Sequence, residues 1–165
     1  MNSKTRLITL LGVSVAAAMV LSFIETLIPV PFAVPGIKLG LANTVSLFLL
    51  IKLDWKSAAA VSLIRVLLTA LLFGNAASLA YSISGALLSI AVMSLLKKAS
   101  VFSSVGISIS GAVAHNIGQI VMAVFLLGTE QILWWLPALI ASGVITGIAI
   151  GIVVSILAKK IVLKI

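Results

Sequence analysis

The sequence has no cysteine and very few acidic residues. Without cysteine it can form no disulfide, no thiolate metal site and no thiol nucleophile. Its three carboxylates, Glu25, Asp54 and Glu130, lie far apart along the chain, and together with the single histidine they make no metal-ligand set. No GxxxxGK[ST] run occurs, so the sequence predicts no nucleotide-binding loop and no intrinsic cofactor.

Charged residues of both signs are scarce. They make up 8% of the 165 residues, whereas 62% are hydrophobic. A soluble domain carries roughly 25% charged and about 45–50% apolar residues. This composition cannot cover a folded chain with a water-compatible surface, so we predict a protein embedded in a lipid bilayer.

The basic residues that remain follow a regular pattern. Nine of the eleven fall into four clusters, separated by about 40 to 60 mostly apolar residues, which is enough for an out-and-back pair of membrane-spanning helices. The positive-inside rule then predicts a polytopic protein with both termini in the cytoplasm. Nucleic-acid binding is disfavoured, because it needs basic residues gathered on one folded face. The clusters are Lys4/Arg6, Lys52/Lys56, Lys97/Lys98 and Lys159/Lys160/Lys164.

The lengths of the apolar runs predict a single all-α domain, a compact bundle of six transmembrane helices. Three of the four prolines lie in residues 29–40, which we expect to be irregular. The first apolar run starts like a signal peptide but continues to about residue 28 without a clear cleavage site, so we interpret it as a permanent helix. The predicted spans cover about residues 7–28, 37–52, 57–73, 79–96, 104–127 and 132–158.

Two ionisable residues lie inside predicted spans. Arg65 is near the middle of the third span, and Glu25 is about one turn from the outer end of the first. Arginine at a helix centre costs about 2.5–3.5 kcal/mol on insertion scales, so such residues usually face a partner or a cavity. One interpretation is an ion pair that only fixes helix packing. The other is that Arg65 offers its guanidinium to a carboxylate or phosphate, or that Glu25 binds a cation.

Three polar residues, His115, Asn116 and Gln119, fall near the middle of the fifth span. His115 and Gln119 are four residues apart and share a helix face, while Asn116 lies to one side. Structural hydrogen bonding and the lining of a binding site both remain open. No spacing of nucleophile and base supports a catalytic dyad.

The irregular stretch at residues 29–40 leads into the second span. Irregular backbone at membrane depth is tolerated where protein buries it or where it lines a water-filled cavity. The free N–H groups and the dipole of the following helix favour an anion, and Lys38 and Asn43 lie at the same place. With Arg65 they are predicted to converge on a cationic recess open to the outside. The alternative for Lys38 is that its amine snorkels to the interface.

Three segments carry a family resemblance: PGIKLGLANTVSLFLL, LIRVLLTALLFG and GAVAHNIGQ. They resemble the bacterial Gx transporter family, also described as component I of heptaprenyl diphosphate synthase. That family in turn resembles the substrate-binding S components of energy-coupling-factor (ECF) transporters. The resemblance implies a bacterial cell-membrane protein with an outward-facing site under a capping loop at residues 29–40. It also implies that a coupling subunit and ATPases would supply ATP energy. The docking motif of S components on the first helix is matched only loosely, by Gly12 and Ala16–Ala18.

The synthase description implies a different role. Prenyl synthases bind diphosphates through Mg²⁺ held by aspartate-rich motifs, and the single aspartate here, Asp54, lies in a predicted cytoplasmic turn. The chain is therefore not expected to be the catalytic subunit. Two hypotheses remain: an uptake protein for a small anionic or amphipathic solute such as a vitamin or flavin, or a non-catalytic membrane subunit of a prenyl-lipid, quinone or flavoprotein complex. The predicted binding residues are Glu25, Lys38, Asn43, Arg65, His115, Asn116 and Gln119.

Overall fold

The computed structural model describes residues 2–27 and 40–163, and within them the chain folds into six α-helices and one 3-10 helix. Five of the α-helices are long and apolar enough to cross a membrane. The predicted fold class, an all-α polytopic bundle, is confirmed. The elements are α1 (Ser3–Leu27), α2 (Asn43–Lys52), α3 (Trp55–Phe73), α4 (Ala76–Ala99), α5 (Ser104–Leu127), the 3-10 helix (Glu130–Trp135) and α6 (Leu136–Lys160).

The second helix is shorter than the span predicted for it. Helix α2 has ten residues, and at 1.5 Å per residue it is about 15 Å long, half of the roughly 30 Å hydrocarbon core. It begins only at Asn43, whereas the predicted span began at residue 37. Residues 28–39, including most of the predicted irregular stretch, lie outside the described residues.

Short polar residues cap the N-termini of three of the long helices. The Asp54 carboxylate accepts from the backbone N–H of Ser57 at 2.8 Å at the start of α3. Asn75 and Ser78 form a reciprocal capping box at the start of α4. Ser103 accepts from the Gly106 N–H at 3.2 Å at the start of α5. Such caps satisfy backbone donors that have no partner inside the helix, so these three boundaries follow from local sequence.

One end of the bundle collects the basic residues, and we call it the basic end. The Lys97 Nζ near the end of α4 donates to the backbone carbonyl oxygen of Leu50, and it lies 3.4 Å from that of Leu53. The final turn of α4 therefore lies against the α2–α3 turn. The starting half of α1 and the closing half of α6 pack into the same apolar cluster as Leu50 and Met93. The basic end thus holds Lys4, Arg6, Lys52, Lys56, Lys97, Lys98, Lys159 and Lys160.

The interior has an apolar layer near each end and polar side chains between them. The layer at the basic end includes Leu47, Leu50, Val61, Met93 and Val154. The layer at the opposite end consists of Tyr81, Ile120, Ala123, Ile132 and Leu139. On α5, three buried polar residues lie between these two layers: His115, Asn116 and Gln119. Further buried polar residues lie beyond the basic-end layer on α1 and α3 and at the start of α2: Ser22, Glu25, Arg65, Thr69 and Asn43.

Glycines let α5 and α6 approach closely. A Cβ added to Gly147 would lie 2.6 Å from the Ile109 Cα, and one added to Gly151 would lie 2.7 Å from the Val105 Cα. Both distances are below van der Waals contact, so only glycine fits at this separation of the backbones. Small residues at helix interfaces give the tight packing that holds helices together in lipid.

The outer surface of the bundle is apolar. Leu71, Phe125 and Trp134 are 81%, 81% and 87% exposed, and many other large apolar side chains share this outer face. Such a surface suits lipid rather than water. Together with the five long apolar helices, it establishes a multi-pass membrane protein.

Candidate functional site

The centre of the polar layer joins α1 to α3. Arg65 is 2% exposed and Glu25 is 4% exposed, and the two side chains attract each other electrostatically. The Arg65 Nη1 donates to the Ser22 Oγ at 3.5 Å. Ser22 and Glu25 are three residues apart on one face of α1. Two helices that are distant in sequence are therefore connected through a buried charge pair and a serine.

Glu25 also contacts the turn that precedes α2. Its Oε1 accepts a hydrogen bond from the backbone N–H of Gly40. Gly40 has φ +86, a left-handed conformation that side chains disfavour and glycine adopts readily. This contact brings the beginning of α2 to the charge pair.

The N-terminus of α2 is less open to an outside anion than we predicted. The backbone N–H groups of Asn43, Thr44 and Val45 donate to the carbonyls of Gly40, Leu41 and Ala42 at 2.8, 3.1 and 3.2 Å. The carboxylate of Glu25, bonded to Gly40, is the negative group nearest this turn among the described contacts. The chain therefore supplies an anion here itself.

Asn43 and His115 both lie close to Gly40. A Cβ added to Gly40 would be 2.9 Å from the Asn43 Nδ2 and 3.5 Å from the His115 Cδ2. Both side chains are buried, at 6% and 3% exposure. The first turn of α2 is thus packed against the middle of α5.

Gln119 continues the cluster toward α4. A Cβ added to Gly85 of α4 would be 2.9 Å from both the Gln119 Cγ and the His115 Nδ1. Because Gly85 has no side chain, the two polar residues of α5 fit against the α4 backbone. The structure therefore brings Glu25, Arg65, Asn43, His115 and Gln119 into one connected group, which we call the polar cluster.

Asn116 faces another helix. Its Nδ2 donates to the Leu139 carbonyl oxygen of α6 at 2.7 Å, and it lies 3.1 Å from a Cβ added to Gly143. Its amide therefore ties α5 to α6 and does not join the polar cluster with its neighbour His115. Lys38 falls outside the described residues.

Several buried donors in the polar cluster and on Thr69 beside it lack a hydrogen-bond partner among the described residues. They are the Nε and Nη2 of Arg65, the Nδ2 of Asn43 and the Oγ1 of Thr69. Thr69 is one turn beyond Arg65 on α3 and is also buried. Buried donors are usually bonded to protein or ordered water, so these groups can serve an acceptor-rich molecule. The site therefore offers hydrogen-bond donors and one cation, the Arg65 guanidinium, whose charge is balanced by Glu25.

Sequence reasoning missed Ser22, Gly40, Thr69 and Gly85. A signal was present for two of them: Ser22 precedes Glu25 by three residues, and Thr69 follows Arg65 by four, so each shares a helix face with a buried charge. The contributions of Gly40 and Gly85 depend on contacts between helices and have no local signature.

A scan against protein-family models matches residues 14–157 to the family described as heptaprenyl diphosphate synthase component I. The chain belongs to this family. The predicted family is thereby confirmed, and the matched range includes every member of the polar cluster. Searches of curated proteins and of solved structures find no match to this component I chain.

Proposed function

We propose that this component I protein binds a small anionic or amphipathic solute, such as a vitamin or flavin, in the polar cluster and takes part in its uptake from the outer face. Arg65 supplies positive charge, and Asn43, His115 and Gln119 supply hydrogen bonds. Lys38, which lies outside the described residues, is the other predicted source of positive charge. Glu25 positions Arg65 and Gly40.

The observation that carries this proposal is a set of buried donors on Arg65, Asn43 and Thr69 that find no partner within residues 2–27 and 40–163. Placing polar groups inside a membrane protein is costly, and leaving their hydrogen bonds unmade adds to the cost. If these residues served only to pack the helices, the contacts of Glu25 with Arg65 and Gly40 would be sufficient. A bound solute with carboxylate, phosphate or carbonyl oxygens satisfies the remaining donors.

The proposed setting is the bacterial cell membrane with the basic end in the cytoplasm, as the positive-inside rule favours. The polar cluster then lies beyond the half-length helix α2, on the outer side of its first turn. In this setting ATP energy comes from an ECF-type coupling subunit and its ATPases.

A thermal-shift screen of the purified full-length protein against flavins, other vitamins and prenyl phosphates tests the proposal. A solute at about 100 times its dissociation constant stabilises the protein by about 2.7 kcal/mol, which is a clear shift in melting temperature. Asn43→Ala and Thr69→Val should weaken the binding of that solute by about 10-fold each, as expected for the loss of one buried hydrogen bond.

Asn116→Ala is the matched control, because it removes a buried amide of the same helix bundle that is bonded to α6. We expect it to lower stability but to leave solute affinity unchanged. The proposal fails if no solute stabilises the protein, or if Asn116→Ala reduces affinity as much as Asn43→Ala does.

The family description favours a second candidate function. In this alternative the chain is a non-catalytic membrane subunit of a prenyl-lipid or quinone synthesis complex, or of a flavin-linked electron-transfer complex. Affinity purification of the tagged protein from mild detergent distinguishes the two. Recovery of ATPase and coupling subunits supports uptake, and recovery of a prenyl synthase or flavoprotein supports the alternative.

A further inference from the structure

A groove at the basic end lies away from the polar cluster. Its volume is about 610 Å³, and it runs between the α2–α3 turn and the closing turns of α4. Its walls are mostly apolar, and two lysines and an aspartate also line it. Its lining residues include Asp54, Trp55, Ala91, Ser94, Leu95 and Lys98.

This groove continues along the outer face of α4. Ala91 also lines a second groove, of about 480 Å³, between α4 and α5. Leu87, Ala91, Leu95 and Lys98 follow one another at three- or four-residue spacing and are exposed, so they form one stripe. From Leu87 to Lys98 this stripe is about 16 Å long, close to the thickness of one leaflet of a roughly 30 Å hydrocarbon core.

The end of the stripe is basic and amphipathic. Lys97 donates to backbone carbonyls of the α2–α3 turn, whereas Lys98 is exposed at the edge of the groove. Asp54 is occupied as the cap of α3, accepting from the Ser57 N–H at 2.8 Å and lying 3.2 Å from the Ser57 Oγ. Lys52 and Lys56 flank it. Anionic headgroups are attracted to such lysines at a membrane surface.

One further side chain, Trp55, suits a lipid. Trp55 is 56% exposed, and tryptophan is enriched at the headgroup level of membranes. Ser94, one turn deeper than Lys98, also lines the groove, but its Oγ is buried.

We propose that this groove binds an anionic phospholipid, with its phosphate at Lys98 and an acyl chain along the α4 stripe. A free phosphate is a poorer occupant of the groove, because it would leave the apolar walls uncovered. A polar protein segment would match the lysines but not the bilayer-facing stripe. This lipid site is separate from the polar cluster, so the lipid proposal does not depend on the proposed uptake function.

Tryptophan quenching by brominated lipids tests the proposal. In a Trp134→Phe/Trp135→Phe background, Trp55 is the remaining tryptophan of the chain. The full-length protein is reconstituted in vesicles that contain phosphatidylglycerol or phosphatidylcholine with brominated acyl chains. We expect phosphatidylglycerol to be preferred about fivefold, the electrostatic contribution of one interfacial lysine. Lys98→Gln should reduce this preference to near unity.

Lys160→Gln is the matched control, because Lys160 is an exposed lysine of the basic end on α6, which makes no contact with α4 among the described residues. It should keep the fivefold preference. Ala91→Phe, which fills the groove, should reduce quenching by both lipids. Added inorganic phosphate should have no effect.

Three outcomes overturn the proposal. Equal quenching by the two lipids removes the headgroup selectivity. Equal losses in Lys98→Gln and Lys160→Gln indicate a diffuse surface charge instead of a site. Loss of selectivity on adding inorganic phosphate indicates a site for a free anion. Circular dichroism of each variant verifies that the helices are intact.

Discussion

The carboxylate of Glu25 receives a hydrogen bond from the backbone N–H of Gly40 and also attracts the guanidinium of Arg65. One side chain of α1 thereby holds the turn before α2 and the middle of α3. The ion-pair interpretation and the binding interpretation of these residues are compatible, because the Nε and Nη2 of Arg65 still lack partners among the described residues.

Removal of one member of this pair should destabilise the protein more than removal of both. Arg65→Gln leaves the Glu25 carboxylate buried without its cation, which typically costs about 3–5 kcal/mol. Glu25→Gln/Arg65→Gln should recover part of that loss, since two neutral amides remain. Unfolding in detergent, analysed as a double-mutant cycle, measures the coupling. Strict additivity of the two single variants would contradict a direct interaction.

Gly40 should tolerate substitution by alanine less well than Gly128, which is also in a left-handed conformation. Gly40→Ala combines φ +86 with a contact of 2.9 Å to the Asn43 Nδ2. Gly128 at the end of α5 has φ +64 but nothing within 4 Å of an added Cβ. Gly128→Ala should cost about 1–2 kcal/mol from backbone conformation alone, and Gly40→Ala should cost at least about 1 kcal/mol more. Equal melting temperatures would argue against crowding at Gly40.

Close packing of α5 on α6 gives a third prediction. Gly147→Ala places a Cβ 2.6 Å from the Ile109 Cα, so the two backbones must separate. Overpacking of this kind costs about 1–3 kcal/mol. Gly12→Ala on α1 meets nothing within 4 Å and should be neutral or stabilising by up to about 1 kcal/mol. Thermal unfolding in the same detergent compares them, and a neutral Gly147→Ala would refute the close approach.

Asp54 gives the stability of α3 a pH dependence. The hydrogen bond from the Ser57 backbone is the largest of the effects that lower the pKa of Asp54 from its usual 3.8. Because the pKa is lower in the folded state, this stabilisation is fully present above about pH 4 and is lost as the pH falls through the folded pKa.

We expect Asp54→Ala to lose about 1 kcal/mol near neutral pH and progressively less below about pH 4. Asp54→Asn keeps a capping side chain that does not titrate, so its advantage over Asp54→Ala should not change with pH. Unfolding measurements from pH 7 down to about pH 3 separate the two. A constant difference between the wild type and Asp54→Ala over this range would exclude the carboxylate as the source.

Much of the fold was predictable because its signals are local. Apolar runs of membrane length marked the long helices, and the predicted range of the fifth span is that of α5, Ser104–Leu127. Asp54, Asn75 and Ser103 cap helices through residues three positions away. The half-length α2 was harder to predict, because an apolar run does not show where a helix stops short of the other membrane face.

The candidate site was predictable only in part. Arg65, Glu25, His115 and Gln119 were recognisable, because a polar side chain within an apolar run stands out against its lipid cost. Their contacts were not: Asn116 was predicted to bind with His115, yet a helix turns about 100° per residue, and the Asn116 amide bonds to α6.

The amino-acid sequence by itself determined that this chain spans a membrane, where its five long helices lie and which end of the bundle is basic, because hydrophobicity, caps and charge clusters act over a few residues. Only the tertiary structure decided that Glu25 joins Arg65 to Gly40 and that glycines bring α5 to the backbones of α4 and α6. Those contacts depend on the rotation and spacing of whole helices, which many weak packing interactions set together.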